Sequence, residues 1–162
     1  MLCPYLLGLS QDVGVHRRDN DQTGHHGLPL LCHGHVGLVD TASGRVLLAF
    51  ADASRAQQML AQHTAVEGEV PIEPEALAAA LSAIRKQGYF ERDSLQTYGL
   101  ADISCPIFGP DNSALAALTC PYVRRIDSHV GPDQKAVRLL LQQAARALSL
   151  TQGGWAPPSR QA

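Results

Sequence analysis

The segment "DISCPIFGPDNSALAALTC", Asp102 to Cys120, constrains this chain more than any other. Two apolar runs flank "GPDNS", a connection made of turn formers. Returning to a parallel neighbour takes a crossover of about a dozen residues or more, so the two runs must pair as an antiparallel hairpin. "YFERDS", just upstream, reads as a further strand. Arg92, Asp93, Asp102 and Thr119 then fall where strands begin and end, the position of a pocket rim rather than of a catalytic signature.

Helical patterns surround these strands. "IEPEALAAALSAIRKQG" is the clearest: Pro74 suits a first turn, Glu73 and Glu75 sit at the positive end, and Leu77, Ala80, Leu81 and Ile84 share one face. Arg85, Lys86 and Gly88 end it, cations first and then a residue free to adopt a left-handed cap. "DTASGRVLLAF" predicts a short buried helix capped by Asp40 or Thr41. Ser54 is placed to cap another helix running to about His63, with Met59 and Leu60 inward. Gly131, Pro132 and Asp133 open a last helix whose Val137, Leu140, Leu141, Ala144 and Leu148 keep helical spacing. Pro4 to Gly14 reads as a short helix or the end of one, and Val15 to Gly37 as irregular and turn-rich. Helices, then strands, then a returning helix imply an α+β fold, an antiparallel sheet covered by helices on at least one face.

A chain of 162 residues suits one domain with a substantial core. A net charge of -2 offers no electrostatic footprint for nucleic acid. No apolar run approaches the roughly 18 to 20 residues of a spanning helix, and the first residues lack a signal-peptide pattern, so the expected compartment is the cytoplasm. The cysteines, Cys3, Cys32, Cys105 and Cys120, form no CxxC and are expected to be buried thiols. His16, His25, His26, His33 and His35 crowd one region, with "CHGH" bringing Cys32 close to two of them. Their spacing matches no closed tetrahedral motif, and exposed loop histidines are expected rather than a metal centre. No cofactor is implied.

"TASGRVLLAF", "EALAAALSAIRKQGYFERD", "YGLADISCPIFGPDNSALAALTC" and the closing "RLLLQQAARALS" occur in an order that resembles the GAF-like effector-binding domain of IclR-family transcriptional regulators. The resemblance runs from about Thr41 to Ser149. It implies a sensor domain, placed over residues 1–151, and assembly as a homodimer or homotetramer, while the tail "QGGWAPPSRQA" at 152–162 reads as disordered from its own sequence. In that family a winged helix-turn-helix precedes the sensor and touches DNA; the expectation here is the sensor half alone. Two departures stand out. Gly37, Leu38 and Val39 occupy the place of a usual Pro-Leu-His run, and the preceding hairpin region is shorter than the family pattern.

Carried residue by residue, the resemblance marks Ala42, Ser43 and Gly44 at a helix start, and Arg92 and Asp93 after a strand. It also marks Asp102, where many members carry Cys, and Thr119 with Pro121, where many carry a Ser-x-Ser pair. The chemistry favours a small organic acid, a monocarboxylate best of all, aromatic ones included. A helix start presents unpaired N–H groups and partial positive charge, and an arginine can grip a carboxylate through two parallel hydrogen bonds. Leu100, Ile103 and Leu118 are expected as apolar walls. Each residue also has a plainer reading: Asp40, Thr41 or Ser43 as helix cap, Arg92 with Glu91 and Asp93 as a solvated charge cluster, Asp102 bonded to backbone at a strand edge, and Thr119 as an ordinary strand threonine.

Two other functions compete. One is a dimerisation module whose pocket is filled by its own side chains. The other is a GAF-like thiol enzyme such as a free methionine sulfoxide reductase, with Cys105 and Cys120 as hairpin neighbours. No His or Lys is placed to activate either thiol, and no Ser-His-Asp set, phosphate loop or defensible carboxylate pair is present. A sensor that is not an enzyme is the expected function.

Overall fold

The computed structural model describes residues 5–8, 37–65, 68–95, 97–126 and 131–154. Its elements are β1 (Tyr5–Gly8), α1 (Ala42–Phe50), α2 (Ala53–Gln62), α3 (Pro74–Gln87), β2 (Phe90–Asp93), β3 (Leu100–Phe108), β4 (Ala114–Val123) and α4 (Gln134–Thr151). The strands form one antiparallel sheet in the order β1-β4-β3-β2. The fold is α+β, as the resemblance implies.

The hairpin closes where its turn formers stand. Gly109 N donates to Ser113 O, Asp111 accepts from the Ser113 backbone and hydroxyl, and Asn112 adopts a left-handed φ of 59°. Alternation along β3 and β4 then sends successive side chains to opposite faces. Ala114 and Ala117 pack with Val46, Leu47 and Leu48 of α1, Leu77, Leu81 and Ile84 of α3, and Phe90 of β2. Ile103, Cys105, Ile107, Ala116, Leu118 and Cys120 pack with Val137, Leu141 and Ala145 of α4. Helices therefore cover both faces.

Expectations change for three elements. Tyr5–Gly8 is a strand on the outer edge of β4, with Tyr5 opposite Thr119 and Gly8 opposite Ala116, and not a helix. A short apolar run has no decisive period of its own, so an open sheet edge decides its state. The remainder of Pro4–Gly14, and residues 15–36, lie outside the described residues. In α2 the cap is Asp52, which accepts from Arg55 N at 2.8 Å, and not Ser54, whose hydroxyl donates to the same carboxylate. Met59 is partly buried as expected, but Leu60 is 40% exposed.

The third change is the face of α4. Its buried stripe is Val137, Leu141, Ala145 and Ser149, while Leu140, Ala144 and Leu148 face outward. The C-terminal half of this stripe carries the small residues Ala145 and Ser149, and Ser149 meets the strand at the register shift at Ile107/Phe108. There Ser149 Oγ accepts from Phe108 N at 2.9 Å and donates to Ala145 O at 2.8 Å. Gln152 to Gly154 form the closing turn, Gly154 N donating to Ser149 O, so the first three residues of the expected tail are part of the helix end. Residues 155–162 lie outside the described residues. Ser149→Ala should strand the buried Phe108 N–H and lower unfolding stability by about 1–3 kcal/mol in a denaturant titration.

Candidate functional site

The start of α1 is built by the turn before it. Thr41, in extended conformation, is the N-cap: its Oγ1 accepts from Gly44 N at 3.1 Å and donates to Gly37 O at 2.6 Å. Gly44 is required because a Cβ there would come within 2.2 Å of the Leu38 carbonyl oxygen. The connection from α2 to α3 ties down the same turn. Asp40 Oδ2 accepts from Val70 N, and Glu69 accepts from Val39 N with one oxygen while His63 Nε2 lies 2.7 Å from the other. Ala42 and Ser43 are thereby held, buried, as the first residues of the helix.

Below α1, two cross-strand rows face it. In one row Arg92 lies opposite Asp102, and Asp102 opposite Pro121; in the next, Phe90 lies opposite Ser104, and Ser104 opposite Thr119. The Ser104 and Thr119 hydroxyls are 2.9 Å apart and hydrogen-bonded. Arg45, from the first turn of α1, is 9% exposed. Its Nε donates to Val39 O at 2.7 Å and its guanidinium stands 5.4 Å from the centre of the Phe90 ring, reaching from helix to sheet.

Charge and burial act against each other here. Burial pushes Asp102 above the ordinary carboxylate range, with a hydrogen bond from Ser94 and the charge of Arg92 pulling it back only in part. Burial, then the repulsion of Arg92, lowers Arg45, with Asp40 opposing. The surface under α1 is thus polar and partly dehydrated.

The fold brings Arg92, Asp102, Thr119 and Pro121 onto one sheet face and lays the helix that begins with Ala42, Ser43 and Gly44 across it. Asp93 is not with them. Alternation turns it to the other face, where it is exposed and paired with Arg124, whose hydrogen bond holds it below the usual carboxylate range. Glu91 also turns away and binds Arg138 and Gln134 of α4. Of the expected apolar walls, Leu100 shares the face of Asp102 by alternation, whereas Ile103 and Leu118 belong to the core under α4. Among the plainer readings, Thr41 and not Asp40 takes the capping role. Sequence reasoning missed Arg45, Phe90 and Ser104. Counting by twos from Asp102 and Arg92 would have found the last two.

Cys105 and Cys120 lie on the α4 side as free, buried thiols, with Cys105 pushed up to about 12 by burial and Cys120 raised by the same cause. Burial thus disfavours the thiolate form of both of these described thiols. Among the described residues no group of three or more metal-ligating side chains occurs; the histidine-rich segment lies outside them. No helix among the described residues is long and apolar enough to cross a membrane.

Two outcomes follow from these environments. Between the ordinary carboxylate value and the raised one, folded Asp102 keeps a proton that the unfolded chain has lost, so stability falls as pH rises through that window. Asp102→Asn should remove this slope and leave the variant more stable than the parent at neutral pH, read from unfolding midpoints across a pH series. Cys105 should resist iodoacetamide at pH 8 in the folded protein and react on unfolding, as mass spectrometry of the labelled peptides would show.

The description "Bacterial transcriptional regulator IclR C-terminal" belongs to the family model that matches residues 34–150. Over 88 residues, 52% of this chain, the sequence is 31% identical to a protein named HTH-type transcriptional regulator ArcR from Halobacterium salinarum, of which it covers 34%. The chain thus spans about a third of that relative's length. Among solved structures, one from Silicibacter sp. TM1040 assigned to the ICLR transcriptional regulators superposes with a TM-score of 0.66 at 24% identity, covering 98% of this chain and 63% of that one. The inducer-binding domain of PobR from Acinetobacter, a double mutant in complex with 3-hydroxybenzoic acid, gives 0.64 at 20% identity, covering 91% of this chain and 87% of the other. At these identities the two structures speak for the fold alone.

Proposed function

We propose a function from one premise: this chain belongs to the IclR family of bacterial transcriptional regulators, as their C-terminal, effector-binding domain. The effector is a small organic carboxylate, and the observation that carries this reading is the start of α1 lying across the sheet face that bears Arg92 beside Asp102. The helix start contributes N–H groups and about half a positive charge, and Arg92 contributes a bidentate guanidinium. Ser104 and Thr119 offer hydroxyls to a second polar group of the ligand, and Pro121 and Leu100 offer apolar surface. The PobR domain, similar in fold, binds an aromatic acid, which favours the same class for this chain.

Residues 1–151 act as the sensor in this reading. The sensor forms a homodimer or homotetramer, and effector binding biases how its subunits are placed. In the longer regulator that placement sets the disposition of a separate DNA-binding domain. A ligand shifts such an equilibrium only through different affinity for the two arrangements, so the pocket must differ between them. The matched relatives are transcriptional regulators, and in this reading the site binds its ligand without transforming it.

A thermal-shift screen of the 162-residue chain against small aliphatic and aromatic carboxylates tests this, since a ligand of the folded state raises apparent stability by mass action. At least one acid should raise the melting temperature with dose. Arg92→Ala should weaken that acid about tenfold or more, the scale of one charge-assisted contact, while melting near the parent without ligand. A flat screen on protein refolded free of bound metabolites would instead support a ligand-free dimerisation module.

A further inference from the structure

We propose that Arg45 is a second anion anchor of this site, so that the preferred ligand carries two negative charges on one small frame, as a dicarboxylate does. This deepens the effector reading and rests on it. The geometry comes first. Arg45 is buried in the first turn of α1 yet directed across to β2, fixed at Nε by the Val39 carbonyl and laid over Phe90. Arg92 follows Phe90 by two positions on the same strand face, roughly two rises of about 3.3 Å along the strand. The Arg92 guanidinium, whose Nε donates to Asp93 O at 3.4 Å, is near enough for its charge to act on Arg45, so one cation reaches from the helix and one stands on the sheet.

Like charges held in a partly dehydrated place repel more strongly than in water, and an arrangement of this kind is relieved by an anion that spans both. The neighbouring carboxylates do not fully supply that anion. Asp40 stands beside Arg45, but its Oδ2 is engaged by Val70 N, and its attraction is outweighed by the repulsion from Arg92. Asp102 lies across from Arg92, but burial favours its neutral form. A ligand with a single carboxylate would engage Arg92 alone; a second carboxylate placed toward the helix would reach Arg45 as well.

The test compares matched acids: benzoate with isophthalate, and propionate with succinate, by titration calorimetry on the whole chain at fixed ionic strength. In at least one pair the diacid should bind the parent protein tenfold or more tightly than its monoacid. Arg45→Gln should reduce that ratio to near one, Arg45→Lys should retain most of it, and Arg92→Gln should weaken both members of the pair. A purely structural Arg45 would weaken both acids together and leave the ratio unchanged, which overturns the proposal. Should Arg45→Gln not fold, the parent ratio and its retention in Arg45→Lys decide, and a diacid bound no more tightly than its monoacid overturns the assignment. Monoacid binding that depends on Arg92 with no gain from a second carboxylate removes only the role of Arg45. Absence of binding by all four acids overturns this proposal, and the effector reading falls with it if the wider screen is also flat.

Discussion

Pairing of β3 with β4 is the constraint on which the rest of the domain depends. Both strands are buried on two faces, so their alternation creates two separate apolar surfaces, one for α1 and α3 and one for α4. The same alternation decides which polar residues share a face. Asp102, Ser104 and Thr119 lie under α1 because Ile103, Cys105 and Leu118 lie under α4. A slip of one residue in this register would exchange the two sets and place the thiols under the arginines.

The site depends on a second constraint, the tight turn that delivers α1. Gly44 lets the helix start meet the Leu38 carbonyl, Thr41 closes the cap, and Asp40 and Glu69 bond the α2–α3 connection to the same turn. Rigidity at this point gives Arg45 a fixed direction toward β2. In the proposed site, an incoming anion would exchange water for a helix start and arginines that the fold already orients.

Elements whose signals are local were legible. The hairpin follows from "GPDNS" between two apolar runs, α3 from its Pro start, spacing and left-handed Gly88, and α1 from Thr41 and the apolar residues after it. Elements that answer to distant partners were not. Tyr5–Gly8 became a strand because an edge of β4 was open to it, and α4 turned the stripe with Ala145 and Ser149 inward because Phe108 N needed an acceptor at close range. The site divides the same way. Arg92, Asp102, Thr119 and Pro121, expected together, do share the sheet face under α1, while Asp93, expected beside them by adjacency, points to the other face because consecutive strand residues alternate.

From sequence alone came the α+β class, the antiparallel hairpin, the family resemblance and the residues at the strand ends, because turn chemistry, helix caps and hydrophobic period are written within a few neighbouring positions. Only the tertiary structure decided which face each residue joins, that Asp93 turns away to pair with Arg124, and that Arg45 and Ser104 come to the face under α1. The physical reason is that facing is settled by which surfaces bury against one another. Positions far apart in the chain acquire a common environment only when the sheet has chosen its register.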